Sequence, residues 1–155
     1  MKLINIYKQL LKESELNQKF DYIHDFNEFG LARVFIKNKG WNIINREGKL
    51  LSDIWFNYIN IFNKFGLVDV TLNDKYNFIN LKGELLFNIW FDYISVFDKS
   101  GFKKVMLNNK YNYISSEGKL IFNKWINKSI INNIKIVSNN GFMIKYNNNY
   151  KVIKI

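Results

Sequence analysis

Three consecutive stretches of this chain, FDYIHDFNEFGLARVFIKNKGWNIINREGKLLSDIW (20–55), FNYINIFNKFGLVDVTLNDKYNFINLKGELLFNIW (56–90) and FDYISVFDKSGFKKVMLNNKYNYISSEGKLIFNKW (91–125), align residue by residue. A unit repeated at a period of 35 or 36 residues rules out most single-copy folds. Each copy is one supersecondary unit that must bury the same seam against its neighbour. The extra residue of the first copy falls at Lys39 or Gly40, inside a turn, where an insertion costs least.

Within a copy the apolar period is two, so the elements are strands. Ala32, Val34 and Ile36 alternate with Leu31, Arg33 and Phe35; Val68, Val70 and Leu72 alternate with Leu67, Asp69 and Thr71; Lys103, Val105 and Leu107 alternate with Phe102, Lys104 and Met106. The first set of each copy is aliphatic at its centre and is expected to face a core, and the second changes chemistry from copy to copy. Asn73-Asp74 and Asn108-Asn109 tolerate positive φ and predict two-residue hairpins of the primed type, pairing the second strand with a third over 41–44, 76–79 and 111–114. Gly30, Gly66 and Gly101 mark the bend between the first two strands. The tetrads Asn45 to Gly48, Asn80 to Gly83 and Ser115 to Gly118 fit type I turns leading into short fourth strands at 49–51, 84–87 and 119–122.

The flanks differ from the copies. Leu3, Tyr7, Leu10 and Leu11 lie at helical spacing, with Lys2, Lys8, Lys12 and Glu13 largely opposite, which predicts an amphipathic helix over 3–15 that caps the open end of the array. Residues 1–19 are thus read as cap and link and 20–155 as the array. Residues 126–155 look like a partial fourth copy, in which Ile134 and Ile136, Gly141 to Ile144 and Tyr150 to Ile153 stand for three strands with a turn at Asn147 to Asn149. The fold class expected is mainly β: about 3.5 modules of antiparallel hairpins forming an open twisted solenoid or a propeller-like array, the solenoid favoured since so few modules do not close a typical propeller.

The residues Phe20-x-Tyr22-Ile23, Gly30-Leu31-Ala32-x-Val34 and Asn38-Lys39-Gly40-Trp41, with Asn77-Phe78-Ile79-Asn80-x-x-Gly83 in the second copy, resemble the WG-containing (KWG) repeat family. The resemblance covers Phe20 to Trp125. Gly40-Trp41 alone has the eponymous pair; Tyr76 and Tyr111 replace the Trp, and Asn42, Asn77 and Asn112 stand where a following Gly is usual. It implies a bacterial or bacteriophage binding scaffold, such as an inhibitor or accessory factor acting on a bacterial complex, with no catalytic motif to carry over.

The residues themselves point away from catalysis. His24 is the only histidine, and Asn60 and Ser95 stand at its equivalents, so the position is a variable polar one and not a conserved acid or base. Asp21, Asn57 and Asp92 share one slot and read as turn acceptors. With no cysteine there is neither a thiolate nucleophile nor a usual structural zinc site. No catalytic residue, metal ligand or cofactor is expected. No signal-peptide core or membrane-length apolar run occurs, which predicts a soluble, cytoplasmic protein without a membrane partner or small-molecule substrate.

Two binding classes remain. A protein partner would meet the strand face that varies, at Arg33, Phe35, Asp69, Thr71, Lys104 and Met106. The recurring Trp41, Tyr76 and Tyr111, and Trp55, Trp90 and Trp125, are expected in packing between modules. The alternative partner is RNA or single-stranded DNA. Of the net charge of +10, +8 falls on residues 91–155, and the last thirty residues hold five lysines and no acid, so Lys103, Lys104, Lys145 and Lys151 would form a basic end.

Overall fold

A computed structural model describes residues 12, 14–98, 101–138, 141–146 and 149–154, with side chains as far as residue 134. Each copy forms a three-stranded antiparallel meander: β1 (Tyr22–Ile23), β2 (Leu31–Ile36) and β3 (Gly40–Asn45) in the first; β4 (Tyr58–Ile59), β5 (Val68–Leu72) and β6 (Lys75–Ile79) in the second; β7 (Tyr93–Ile94), β8 (Phe102–Leu107) and β9 (Lys110–Ser115) in the third. The third sheet gains β10 (Ile126–Asn127), and after a short helical turn, Lys128–Ile131, a fourth sheet follows from β11 (Ile134–Ser138), β12 (Gly141–Tyr146) and β13 (Asn149–Lys154). The chain is mainly β, and its strand order closes into no barrel among the described residues.

Hairpin chemistry behaves as the dipeptides predict. Asn73, Asp74, Asn108 and Asn109 have φ of 50°, 58°, 50° and 60°, the left-handed pair that a primed turn requires. In the first copy the longer turn ends on Gly40 at φ 103°, where a Cβ would overlap the Phe56 carbonyl oxygen. Gly therefore precedes Trp41 because the next copy's backbone passes directly over it.

That approach is how copies join. Trp41 and Phe56 exchange both backbone hydrogen bonds at 2.8 Å, and Tyr76 and Phe91 do the same at 2.9 and 2.8 Å. The residue opening each copy thus extends the sheet before it, while the next residue turns its N–H to its own second strand, as Asn57 does to Thr71 at 2.8 Å. Each seam is therefore a hydrogen-bonded ladder as well as an apolar contact.

Packing repeats with the same period. Phe20, Ala32, Val34 and Ile44 form one core; Phe56, Ile59, Val68, Val70 and Ile79 form the next, and Leu31 and Ile43 of the first copy enter it. Phe91, Val105 and Ile114 form a third core, entered by Phe78 of the second copy. Phe102 and Tyr113 pack against Ile131 and Ile134. One face of each hairpin therefore fills its own core, and part of the other face is covered by the following copy. The second face is thus only partly open, because a sheet in a stacked array has neighbours on both sides.

The fourth strands are also corrected. Only single bridges form, Ile44 to Leu50, Ile79 to Leu85 and Ile114 to Leu120. The cause lies in Asn42, Asn77 and Asn112, which are essentially fully buried. The side-chain amide of Asn42 donates to the carbonyls of Ser52 and Ile54 at 2.8 and 3.1 Å, that of Asn77 to Phe87 and Ile89 at 2.8 and 3.1 Å, and that of Asn112 to Phe122 at 2.8 Å. Side-chain bonds take the place of a strand ladder.

At the front, residues 14–19 are helical; most of the helix expected over 3–15 lies outside the described residues. Leu16 packs on the first core and would touch a Cβ at Gly48, as Leu51 would at Gly83 and Leu86 at Gly118. A Cβ at Gly83 would lie 2.6 Å from the Leu51 carbonyl carbon, whereas at Gly30 the nearest atom is an Arg46 side-chain nitrogen at 3.3 Å. Both glycines have positive φ. Gly83→Ala is expected to cost at least about 2–3 kcal/mol of unfolding free energy, and Gly30→Ala only the backbone strain of about 1 kcal/mol. Urea unfolding of the two variants checks the difference, and equal losses would contradict the close approach.

Candidate functional site

Cross-strand register places the varying residues in rows. Tyr22 faces Phe35, which faces Trp41, which faces Phe56. The second row is Tyr58, Thr71, Tyr76 and Phe91, and the third Tyr93, Met106, Tyr111 and Ile126. Each row starts on an exposed tyrosine, at 52%, 50% and 46% for Tyr22, Tyr58 and Tyr93. The first two rows descend to a buried phenylalanine of the next copy. Phe35 is half-buried, its ring 5.1 Å from that of Trp41, and Trp41 also meets the edge of Tyr22 at 6.3 Å. Thr71 and Met106 are half-buried between their own pairs of tyrosines. The three central residues differ while their flanking aromatics recur, so each copy offers an aromatic frame around a variable centre.

Of the other varying positions, Arg33 and Asp69 reach the following copy and Lys104 stays within its own. Arg33 donates from Nη1 to the Ile59 carbonyl at 2.8 Å and lies 5.9 Å from the Trp41 ring. Asp69 accepts from Lys103 Nζ at 2.7 Å and from the Asn60 amide at 3.1 Å. The Lys104 ammonium stands 5.9 Å from the Tyr113 ring. Burial, and then the Asp98 carboxylate, push the Tyr113 hydroxyl above its ordinary pKa.

Lys103, expected on a basic surface, is only 4% exposed. Its ammonium is bonded to Asp69 and lies 4.6 Å from the Phe97 ring and 5.7 Å from Phe78. The correction follows from register: Lys103 pairs with Ile114 as Val68 pairs with Ile79, so it occupies a core position and needs an internal counter-ion. Lys145 and Lys151 belong to β12 and β13, and their side chains lie outside the described residues.

Polar residues of each copy serve turns. Asp21, Asn57 and Asp92 accept from the backbone N–H groups of Lys37, Asn73 and Asn108, each at 2.7 Å. Asp92 also pairs with Lys75, and that ammonium, together with the Asn108 N–H, holds its carboxyl below the usual range. His24 stacks on Trp41 at 5.5 Å, and burial followed by the nearby Arg33 charge pushes its pKa down. No group of three or more His, Cys, Asp or Glu residues able to hold a metal ion occurs among the described residues. No helix among them is long and apolar enough to cross a membrane.

Trp41 packs between modules, against the core of the second copy, as expected. Trp55 lies against the first core, Trp90 against the second and Trp125 against the third, its ring 6.1 Å from Phe91, each beside residues of its own copy. Sequence reasoning missed the exposed Tyr22, Tyr58 and Tyr93 as a set, because residues that recur were assigned to packing. It also missed the buried asparagines, although their inward register on the third strand was a readable signal.

The model of the family described as WG containing repeat matches residues 19–41 and 78–111. The two matches fall on the first copy as far as Trp41 and on the stretch from Phe78 through the second seam to Tyr111. No curated protein matches the sequence.

Proposed function

We propose that this chain, which carries WG containing repeats, is a non-catalytic scaffold: an open array, capped by its N-terminal helix, that docks a protein partner on the aromatic rows. The observation that carries the reading is the half-exposed tyrosine heading each of three rows in register, framing Phe35, Thr71 and Met106. Tyrosine offers large contact area at small entropic cost and is enriched where interfaces hold most of their energy. Recurring aromatics would supply affinity, and the variable centres would select the partner. Such a surface suits an inhibitor or accessory factor acting on a bacterial complex.

The triple variant Y22S/Y58S/Y93S tests this. These side chains lie at the exposed ends of their rows, so the variant is expected to fold. It should lose about tenfold or more of the affinity for a protein captured by the unmodified chain from its native cells. Unchanged capture by the folded variant would overturn the reading. If the chain instead captures RNA or single-stranded DNA, with an affinity that falls steeply between low and physiological salt, a nucleic-acid scaffold replaces it.

A further inference from the structure

Two grooves open at successive module junctions, and they are the same groove repeated. The first, about 240 Å³, is lined by Leu31, Arg33, His24 and Asn27 of the first copy and by Asn60 and Phe62 of the second. The second, about 180 Å³, has Leu67, Asp69, Asn60, Asn63 and Phe97 at five of the equivalent places. The difference lies in charge. In the second groove the Asp69 carboxylate meets Lys103 Nζ at 2.7 Å and the Asn60 amide at 3.1 Å, so the junction carries its own ion pair.

In the first groove the central charge is instead the Arg33 cation, with Asp25 on the border. Arg33 takes the place of Asp69, and Val68, buried and apolar, takes the place of Lys103. Among the described residues no carboxylate is paired with Arg33. Its one hydrogen bond there runs from Nη1 to the Ile59 carbonyl, while a guanidinium carries five N–H donors in a fork matched to a carboxylate.

We propose that the first junction groove receives an acidic side chain, Asp or Glu, of the docked protein, held by Arg33. This rests on the protein-docking reading and names the chemistry of one contact in it. The groove lies beside the aromatic row, since Arg33 stands over Trp41 and His24 stacks on the same ring. A carboxylate fits better than a phosphate dianion. The second groove shows that this space holds a carboxylate against a cation and an amide, and Asp25 on the border of the first repels a double charge more than a single one.

The test uses the full chain and the blocked tripeptide acetyl-Phe-Glu-Gly-amide, beside its Gln and phosphoserine counterparts, read by NMR shifts of the Arg33 Nε–H and Trp41 indole N–H. The Glu peptide should give saturable shifts, with the Gln peptide about tenfold weaker or more and Arg33→Gln abolishing the difference. In D69R/K103V the second groove acquires the residues of the first, and a second equivalent should bind. Equal response to Glu and Gln, tighter binding of phosphoserine, or binding unchanged in Arg33→Gln would overturn the assignment. If no peptide binds while Y22S/Y58S/Y93S still loses its captured protein, the acidic contact is wrong and the docking surface stands.

Discussion

Replacing Asn77 by Ala is expected to remove about 3–5 kcal/mol of unfolding free energy, a large share of what holds a domain of this size together. The amide of Asn77 donates to the carbonyls of Phe87 and Ile89, and its oxygen accepts from the Phe78 N–H at 2.7 Å. All of this happens at a residue with no solvent exposure. Truncation strands three polar groups at about 1–3 kcal/mol each, with some relaxation. Asn77→Asp should be worse than an isosteric change suggests, because it turns an acceptor toward two carbonyls. The half-buried turn residue Asn80, whose oxygen accepts from the backbone N–H groups of Lys82 and Glu84, is the control and should cost about 1 kcal/mol. Urea unfolding at constant m-value measures both. A loss below about 1 kcal/mol for Asn77→Ala would mean the segment after the third strand is held by something else.

The second large effect concerns the ion pair between copies. Asp69→Ala leaves the Lys103 ammonium buried without its carboxylate, and the expected cost is about 2–4 kcal/mol, reduced somewhat because Asp69 is partly solvated. Lys103→Val installs the residue that the second copy carries at this place. Combined with Asp69→Ala it should recover most of the loss, to within about 1 kcal/mol of the unmodified protein, because a well-packed apolar residue replaces a buried pair at little cost. The double-mutant cycle therefore yields a coupling energy similar in size to the single loss and opposite in sign, the double variant losing far less than the sum of the two single ones. Additive effects would show that Asp69 and Lys103 act independently.

How far the sequence could be read depends on the distance over which each residue is determined. The hairpins were legible because their causes are local. Asn73-Asp74 and Asn108-Asn109 impose their own backbone signs, and Val34, Val70 and Val105, all fully buried, alternate with period two. The short fourth strands were misread because the decisive bonds cross ten to twelve residues from a third-strand side chain. Asn42, Asn77 and Asn112 had been noted only as departures from a glycine.

The contacts of the varying face were legible only in part, for a longer-range reason. Arg33 finds its acceptor in Ile59, and Asp69 its cation in Lys103, each in the following copy. Alternation shows which face a residue takes but not how far the next module covers it. Lys103 is the sharpest case, since its register placed it inside while its charge suggested the surface, and the burial could be resolved only by a counter-ion 34 residues away. On the same face, Phe35, Thr71 and Met106 stand in line between aromatics, as the period implied.

If the recurring residues hold the array together while the aromatic rows meet a protein, site-specific photo-crosslinking in native cells will find that protein, with the reactive group placed at Tyr22, Tyr58 and Tyr93 and, for comparison, at the exposed turn residues Glu47, Lys82 and Glu117. The three row positions are expected to capture one and the same protein, and the turn positions are not. Capture from the turns alone, or of nucleic acid from the rows, would contradict that expectation.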